Sequence, residues 1–403
     1  MSTSHYYHTQ GIKSFHYVKE AYKGNTVNVY LERHPDKFKC SVCKSKNVQK
    51  IKDGTRKIKG LKCGIKQTYF IVQMHRLKCS DCGAYRHEHL DFIPRAKVHY
   101  TSSLARSIIE LRREMSIKAL ADYFDLHWET VKNIEKYYLE KKYKKIKLRD
   151  VKYIGIDEIY VGHNKYLTIV RDMISGAVLY IGQGKGGDSL AGFATKLKHS
   201  KCKIKAAAVD LAPSYTSWLE KNLPNADIVY DHFHLIKLMN EKINIIRRKT
   251  MNDLDEHLKK ELKGHRWLFV RNIENLNQDE KEKLKKLKLM FEDLGTASFL
   301  KEALRKIYTL AAHEYEAELA LIHWCKLANE SGIKTMKTMA KTITKSMEGI
   351  KGYWKHDELT SAAVEGFNNK IGWLNRQAYG YRDQEYFKLK IFDLPTVNFV
   401  KAI

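Results

Sequence analysis

Long apolar runs are missing from this sequence of 403 residues. It has no stretch of about 18 apolar residues, so we expect no transmembrane helix. The first 24 residues are polar and aromatic and have no apolar core typical of a secretory signal. No internal repeat or low-complexity segment stands out either. We therefore expect a cytoplasmic protein, and the length predicts about two to four folded units.

Acidic residues are also in deficit. The 73 Lys and Arg residues outnumber the 46 Asp and Glu residues, which gives a formal net charge of +27 and a pI near 9.5. Such an excess predicts a polyanionic partner, and nucleic acid is the leading candidate. An anionic membrane surface is the alternative, but no segment has the pattern of a basic amphipathic anchor.

The seven cysteines are an odd number, which favours a reducing compartment and metal binding over disulfides. Four of them form two Cys-x-x-Cys pairs: Cys40, Cys43, Cys79 and Cys82. Two such turns can complete a tetrahedral zinc site, and residues 69–74 alternate as a strand would. We therefore predict a zinc ribbon in residues 1–95, although reduced core cysteines without metal would look the same. Cys63 could compete as a ligand, but we expect a buried free thiol.

Residues 96–150 predict a helix-turn-helix and a basic linker. Apolar residues lie on one side of two short helical segments, 116–124 and 128–134, which a turn separates. In this motif the helix after the turn enters the major groove. Its outward side chains would contact DNA: Thr130, Lys132, Asn133 and Lys136. An ordinary helical hairpin with a solvated face is the alternative, and the positive charge favours DNA binding.

Residues 151–234 predict a mixed sheet. Three strands with short polar connections should be antiparallel neighbours, and a helix, a buried strand, a second helix and a fifth strand follow. The order β-β-β-α-β-α-β is that of the ribonuclease H fold. Residues 235–345 predict an all-helical insertion, and residues 346–403 close the fold. The predicted fold class is thus a multidomain α+β protein: a zinc ribbon, a helix-turn-helix and a ribonuclease H-like α/β core with a helical insertion.

Two carboxylates interrupt apolar strands of this core. Asp157 lies inside the first strand and Asp210 ends the fourth. These strands are neighbours in the predicted fold, so the two side chains can converge. Hard oxygen ligands suit Mg²⁺ or Mn²⁺, and two such ions can support phosphoryl transfer. Glu158, on the opposite face of the strand, is expected to point outward.

The pattern offers three candidates for a third carboxylate. Glu365 is predicted on a helix face that it shares with Asn368, and Asp357 and Glu358 compete with it.

Asp231 and His234 follow the fifth strand. Asp231 could cap a helix, or it could form a hydrogen-bonding network with His234 beside the metals. His232 and His234 could also be metal ligands. The spacing leaves these readings open.

The combination resembles the ISL-three family of bacterial insertion-sequence transposases over nearly the whole chain. The resemblance rests on the paired cysteines, the helix-turn-helix and several motifs: IGIDEI at 154–159, VDLAPSY at 209–215, PNADIVYDHFH at 224–234, and SAAVEGFNNKI and RQAYGYRD within 361–383. It implies a catalytic triad of Asp157, Asp210 and Glu365, because the family's Glu precedes Gly-x-Asn. Asp231 and His234 match an Asp-x-x-His signature of related transposases.

The resemblance further implies two Mg²⁺ or Mn²⁺ ions and a structural Zn²⁺. The expected activity is cleavage at the element ends, which carry terminal inverted repeats, followed by joining of 3′-hydroxyl ends to target DNA. A homodimer or a larger assembly is expected because two ends must be held together. Two alternatives remain: a non-catalytic DNA-binding regulator derived from a transposase, and a ribonuclease H-like nuclease that only hydrolyses. Fold alone does not separate them.

Overall fold

The structure is a computed structural model that describes residues 5–162, 164–357, 359–360 and 362–395. The chain forms two compact units that divide between Lys142 and Tyr143, and each unit has its own hydrophobic clusters. Within the described ranges, no helix has both the length and the apolar character needed to cross a membrane.

The first unit combines a sheet with four helices among its described residues. Its elements are α1 (His5–Gln10), β1 (Phe15–Lys23), β2 (Thr26–Arg33), β3 (Val48–Lys59), β4 (Gln67–Cys79), β5 (Tyr85–His87), α2 (Ser102–Leu111), α3 (Ile117–Phe124) and α4 (Trp128–Lys142). The strand order is β1-β2-β4-β3, with β5 paired to β4. Strand β4 alternates as predicted, because Phe70, Val72 and Met74 are buried and the residues between them are half-buried.

Helices α2, α3 and α4 form the predicted helical motif. The hydroxyls of Thr101 and Ser116 cap α2 and α3 by accepting backbone N–H groups. Helix α3 ends at Asp125, whose left-handed backbone (φ 50°) starts the turn before α4. The apolar faces of the three helices share one cluster that includes Leu104, Phe124 and Val131.

A buried ion pair joins α2 to α4. Nη1 of Arg112, at the end of α2, lies 2.9 Å from Oε1 of Glu135, and the two side chains are only 5% and 2% exposed. Removal of one partner from such a pair leaves the other charge desolvated without compensation.

The second unit is built on a sheet whose element order matches the prediction. Its first elements are β6 (Tyr153–Gly162), β7 (Lys165–Asp172), β8 (Val178–Gln183), α5 (Ala191–His199), β9 (Ala206–Val209), α6 (Pro213–Asn222) and β10 (Asp227–Tyr230). The strand order is β10-β9-β6-β7-β8. Strands β6, β7 and β8 are antiparallel neighbours, whereas β9 lies parallel to both β6 and β10. All four residues of β9 are buried, which accounts for its continuous apolar run.

Helices follow without interruption by a strand among the described residues. They are α7 (His232–Asp253), α8 (Glu256–Leu262), α9 (Arg266–Val270), α10 (Gln278–Met290), α11 (Glu292–Leu310), α12 (Glu314–Glu330), α13 (Lys334–Lys345), α14 (Met347–Lys355), α15 (Ala362–Gln377) and α16 (Gln384–Asp393). Helices α7 to α14 contribute to one large hydrophobic cluster. The helical character predicted for residues 235–345 is thus confirmed, and the last described element, α16, is also a helix.

Helix α15 packs on the first strand of the sheet. A Cβ atom added to Gly155 would lie 2.6 Å from Cγ2 of Val364 and 2.5 Å from the sulfur of Met173. Glycine at position 155 therefore permits the close approach of α15 to β6. Phe367 and Ile371 then pack into a cluster with residues of β7 and β8.

We predict that Glu135→Ala lowers the free energy of unfolding of the full chain by about 3–5 kcal/mol, because it removes the buried carboxylate that faces the Arg112 guanidinium. Urea unfolding followed by circular dichroism measures the change. The matched control is Glu110→Ala, since the Arg106–Glu110 pair is more than half exposed and its loss should cost about 0–1 kcal/mol. Equal effects of the two substitutions would contradict the importance of the buried pair.

Candidate active site and four-cysteine cluster

Asp157 lies in the middle of β6 with both carboxylate oxygens hydrogen-bonded. Oδ1 accepts the backbone N–H of Glu158 at 2.7 Å, and Oδ2 accepts Nδ2 of Asn368 at 2.7 Å. Burial raises the pKa of Asp157 to about 6, and the nearby charges of Asp210 and Asp231 add to the effect. The Glu158 N–H and the His234 imidazole oppose it only in part. A negative charge at this position is therefore undercompensated.

Asp210 follows directly after β9, the strand that pairs with β6. Burial is the first cause that raises the pKa of its carboxyl, and the charge of Glu158 is another. Its Oδ1 atom is buried and has no hydrogen-bond partner among the described residues. A desolvated carboxylate oxygen without a partner is unfavourable. An unpartnered hard oxygen of this kind suits a divalent cation. Among the described residues, however, Asp157, Asp210 and Glu365 do not form a group whose ligand atoms all lie within 4.8 Å of one another.

Asp231 caps α7 and also contacts His234. Its side chain accepts the backbone N–H of Phe233 at 3.1 Å and the Thr360 hydroxyl at 3.0 Å. Nδ1 of His234 lies 3.6 Å from Oδ2 of Asp231. Burial alone would lower the pKa of His234, but the charges of Asp231, Asp210 and Asp157 outweigh burial and raise it. The capping reading is thus confirmed, and the same carboxylate also lies beside His234.

Glu365 lies in the first turn of α15 and is exposed. Val364 contacts β6 at Gly155, and Asn368, one turn later, donates to Asp157. These two contacts fix the part of α15 that carries Glu365. The competitor Asp357 lies in an exposed turn with a left-handed backbone (φ 51°), and Glu358 lies outside the described residues.

The expectation that Glu158 points outward is wrong. Glu158 does lie on the opposite face of β6 from Asp157, but it is half-buried. Its Oε1 accepts the Tyr215 hydroxyl at 2.5 Å and the Gly186 backbone N–H at 2.9 Å. Helix α6, which carries Tyr215, and the loop at 184–186 cover this face of the strand. Alternation alone reports the face and not what packs on it.

The four paired cysteines come together in the first unit. Their sulfur atoms all lie within 4.8 Å of one another, and in the part of the chain that the structure describes no other group of three or more His, Cys, Asp or Glu ligand atoms is this close. The distance is 3.6 Å between the sulfurs of Cys40 and Cys82, and also between those of Cys43 and Cys79. Four thiolates at such distances fit one tetrahedral Zn²⁺.

The two Cys-x-x-Cys turns have the same backbone geometry. The N–H groups of Lys44 and Gly83 donate to the carbonyls of Cys40 and Cys79, both at 3.1 Å. Lys44 and Gly83 both have positive φ, at 65° and 69°. N–H groups of Cys43 and Val42 lower the pKa of the Cys40 thiol to about 6, which favours the thiolate.

Asp81 ties the two turns together. Its carboxylate accepts the Ser45 hydroxyl and, at 3.0 Å, the Asn47 side-chain amide. The expectation that Cys63 is a buried thiol is wrong, because Cys63 is exposed. It pairs with Lys66 in a short isolated bridge that leaves its side chain in solvent.

The four residues predicted to contact DNA all lie on α4: Thr130, Lys132, Asn133 and Lys136. Asn133 is exposed, and the other three are half-buried. Helix α4 begins at Trp128, where the sequence placed its start.

Comparison with known proteins gives the family. A transposase family model matches residues 154–391, and a model of the helix-turn-helix domain of transposase family ISL3 matches residues 88–139. The chain therefore belongs to the ISL3 family of transposases, and it contains the family's helix-turn-helix domain. The resemblance stated from the sequence motifs is confirmed.

Curated relatives cover most of the chain. The transposase for insertion sequence element IS1001 of Bordetella parapertussis is 32% identical over 374 residues, which are 91% of each chain. The transposase for insertion sequence element IS1557 of Mycobacterium tuberculosis is 25% identical over 82% of this chain and 80% of its own. Among solved structures, the Drosophila P element transposase strand transfer complex aligns with 74% of this chain and 92% of its own at a TM-score of 0.39 and 11% identity.

We predict that the purified chain retains about one zinc ion and that Cys82→Ser loses it, because three thiolates leave a tetrahedral site incomplete. Elemental analysis after gel filtration measures the zinc content. Cys63→Ser is the matched control and should retain the ion, since this exposed thiol lies outside the cluster. Zinc loss from the Cys63 variant, or retention by the Cys82 variant, would be inconsistent with the four-cysteine site.

Proposed function

We propose that this transposase cleaves DNA at the ends of an insertion sequence and joins the freed 3′-hydroxyl ends to target DNA, in a reaction that depends on divalent metal ions. The observation that carries the proposal is the pair of desolvated carboxylates on neighbouring strands. Asp157 has a raised pKa, and Asp210 has a buried oxygen without a partner. Both features suit groups that hold cations.

The sheet supports a ribonuclease H-like core. Three antiparallel strands are followed by two parallel strands that add next to β6 in the order β10-β9-β6-β7-β8. This arrangement places Asp157 and Asp210 on adjacent strands. Helix α15, which follows the helical insertion, carries Glu365 in its first turn, three residues before Asn368, which donates to Asp157. We further propose that the chain has five parts, which divide at residues 95, 150, 234 and 345.

Asp157, Asp210 and Glu365 would hold Mg²⁺ or Mn²⁺, which when bound activate the attacking oxygen and stabilise the leaving oxygen of a phosphoryl transfer. Asn368 donates to Asp157 and so fixes which lone pairs of the carboxylate remain available. Asp231 accepts hydrogen bonds from Thr360 and from the start of α7, and it would orient the His234 imidazole, whose Nδ1 lies 3.6 Å from Oδ2 of Asp231. Water, and later a DNA 3′-hydroxyl, is the attacking group in this scheme.

Recognition of the element ends is assigned to the first unit. Helix α4 would enter the major groove of the terminal inverted repeats, with Asn133 as its most accessible candidate for a base contact. The four-cysteine cluster would bind structural Zn²⁺. The excess of 27 positive charges would supply phosphate contacts. A homodimer or larger assembly on DNA, in the nucleoid, would hold both ends.

We predict that Asp157→Asn, Asp210→Asn and Glu365→Gln each abolish cleavage while binding of the element end is retained, because each removes one charge from the proposed metal site. The measurement incubates DNA that carries the element's terminal repeat with protein and Mg²⁺ or Mn²⁺, and maps the products on both strands. The control is Glu330→Gln, an exposed acidic residue of α12, which should cleave normally.

Cleavage by Asp157→Asn at the normal rate would contradict the assignment. Binding without any cleavage by the unaltered protein would favour a DNA-binding regulator. Cleavage without joining would favour a nuclease that only hydrolyses.

We predict that Asn133→Ala weakens binding to the terminal repeat by about 1–3 kcal/mol and relaxes the preference at one base position, as loss of a base contact does. Competition binding with single-base variants of the repeat, at a fixed salt concentration, measures both effects. The control is Asp122→Ala, because Asp122 is exposed on the preceding helix α3, where it pairs with Lys118. A uniform loss across all sequences, like that of a phosphate contact, would contradict base readout by Asn133.

A further inference from the structure

A cavity of about 630 Å³ lies in the second unit among helices α7, α9, α11 and α14. Its aromatic and amide lining includes Phe233, Asn240, Asn244, Trp267, Tyr308 and Tyr353. The residues come from four different helices, so the cavity is a product of the tertiary packing of the insertion.

The wall of the cavity presents flat aromatic surfaces. The ring of His232 lies 5.2 Å from that of Tyr308 and 5.5 Å from that of Tyr353, measured between centroids. Trp267 also lines the cavity and is 58% exposed. The Arg266 guanidinium lies 5.0 Å from the centroid of the Trp267 ring. Such surfaces stack on any nucleobase, because every base has a π-face.

Polar atoms in the same wall lack partners. Oδ1 of Asn240, Oδ1 of Asn244 and the hydroxyl of Tyr308 are buried and have no hydrogen-bond partner among the described residues. Asn244 is only 9% exposed. A buried amide oxygen without a partner is unfavourable unless a ligand supplies a donor. Nucleobases carry amino and imino donors on their edges, which side-chain amides recognise.

The mouth of the cavity is positively charged. Lys237 and Arg266 are exposed residues of the lining, and they suit the phosphate that accompanies a nucleobase. Glu241 is the acidic residue of the lining, and the two exposed cations outnumber it. Aromatic faces, unpartnered amides and exposed cations together fit a nucleotide better than an apolar ligand.

The cavity begins beside the candidate active site. His232, in the first turn of α7, lines the cavity, and the preceding residue Asp231 contacts His234. The charge of His234 in turn acts on Asp157 and Asp210. The first turn of α7 therefore carries both a residue of the cavity lining and the histidine whose charge acts on the candidate carboxylates.

We propose that this cavity binds one unstacked nucleotide of the DNA strand held at the candidate active site, with its base stacked on the aromatic wall and hydrogen-bonded by Asn240 and Asn244. The proposal rests on the proposed function, because it takes the DNA of that reaction as the source of the nucleotide. The sugar-phosphate backbone is the same at every nucleotide. Extrusion of one base would therefore fix the position of the strand relative to the enzyme.

The test replaces successive bases near the end of the terminal repeat with 2-aminopurine, whose fluorescence rises when it leaves the base stack. The full chain carries Asp157→Asn so that the DNA stays intact during the measurement. We expect a rise at one strand position. Trp267→Ala and Asn244→Ala should abolish this rise, and Trp267→Ala should weaken binding of the end by roughly 5- to 150-fold, as the loss of one base–aromatic stack does.

Tyr315→Ala is the matched control, because Tyr315 is an aromatic residue of the same insertion that is 68% exposed and lies outside the cavity. It should leave both the fluorescence and the affinity unchanged. A second arm measures binding of free deoxynucleoside monophosphates by equilibrium dialysis. One outcome is that the monophosphates bind, that Trp267→Ala removes this binding, and that 2-aminopurine fluorescence on DNA does not rise. The cavity would then take a free nucleotide, and the DNA assignment would be overturned.

The two proposals fail in different ways. Normal cleavage by the unaltered protein, with no position-specific rise in fluorescence, would overturn the cavity assignment and leave the proposed function intact. A position-specific rise that Trp267→Ala abolishes, in a protein that never cleaves, would support the cavity and count against the catalytic function. An equal rise with the Trp267 variant would show that the base leaves the stack elsewhere, which also overturns the proposal.

Discussion

The hydrogen bond from Asn368 to Asp157 is the contact on which the candidate site depends. It joins residues that are 211 positions apart in the chain. Helix α15 follows the helical segment α7 to α14 in the chain and packs on β6. It approaches the strand closely because residue 155 is a glycine. The hydrogen bond orients the Asp157 carboxylate. It also holds α15, the helix that carries Glu365, against β6. Without this long-range contact, the start of α15, which carries the candidate residue Glu365, would not be fixed against β6.

The site conflicts with the packing that surrounds it. Strand β9 is buried throughout, yet the next residue is Asp210, whose buried oxygen has no partner among the described residues. Asp157 is similarly desolvated, and the charge of His234 offsets the two carboxylates only in part. In a core built for stability, apolar groups would serve better at both positions. Departures of this kind from local consistency are typical of functional sites, and cations relieve them directly.

The parts of the fold that depend on local pattern could be predicted from the sequence. Alternation in β4, the continuous apolar run of β9 and Pro213 at the first position of α6 each report a local physical preference. Asp157 and Asp210 stood out because they interrupt apolar strands. The cysteine cluster could be predicted because the spacing of each pair already fixes its turn.

What could not be predicted depends on contacts between distant elements. Glu158 is covered by Tyr215 of α6, which no pattern within β6 reveals. The periodicity did not separate Glu365 from Asp357, and family motifs did. Thr360, which donates to Asp231, was missed because a lone Thr in a loop carries no signal of its own. Asn240 and Asn244 likewise have the appearance of a solvated helix face until α9, α11 and α14 are packed around them.

Helix α7 links the candidate site to the helical insertion. It is a single helix of 22 residues that starts at the Asp231 cap. The charge of His234, near the start of the helix, lowers the pKa values of Asp157 and Asp210. Asn244 lines the cavity about 18 Å from the first residue of the helix, at a rise of about 1.5 Å per residue. Hydrogen bonds within the helix keep this distance constant. A DNA strand that contacts both the candidate site and the cavity would therefore be held at two points a fixed distance apart. A loop could not set the distance in this way. The all-helical insertion would then determine which phosphate lies at Asp157 and Asp210, even though it contributes none of the three candidate carboxylates.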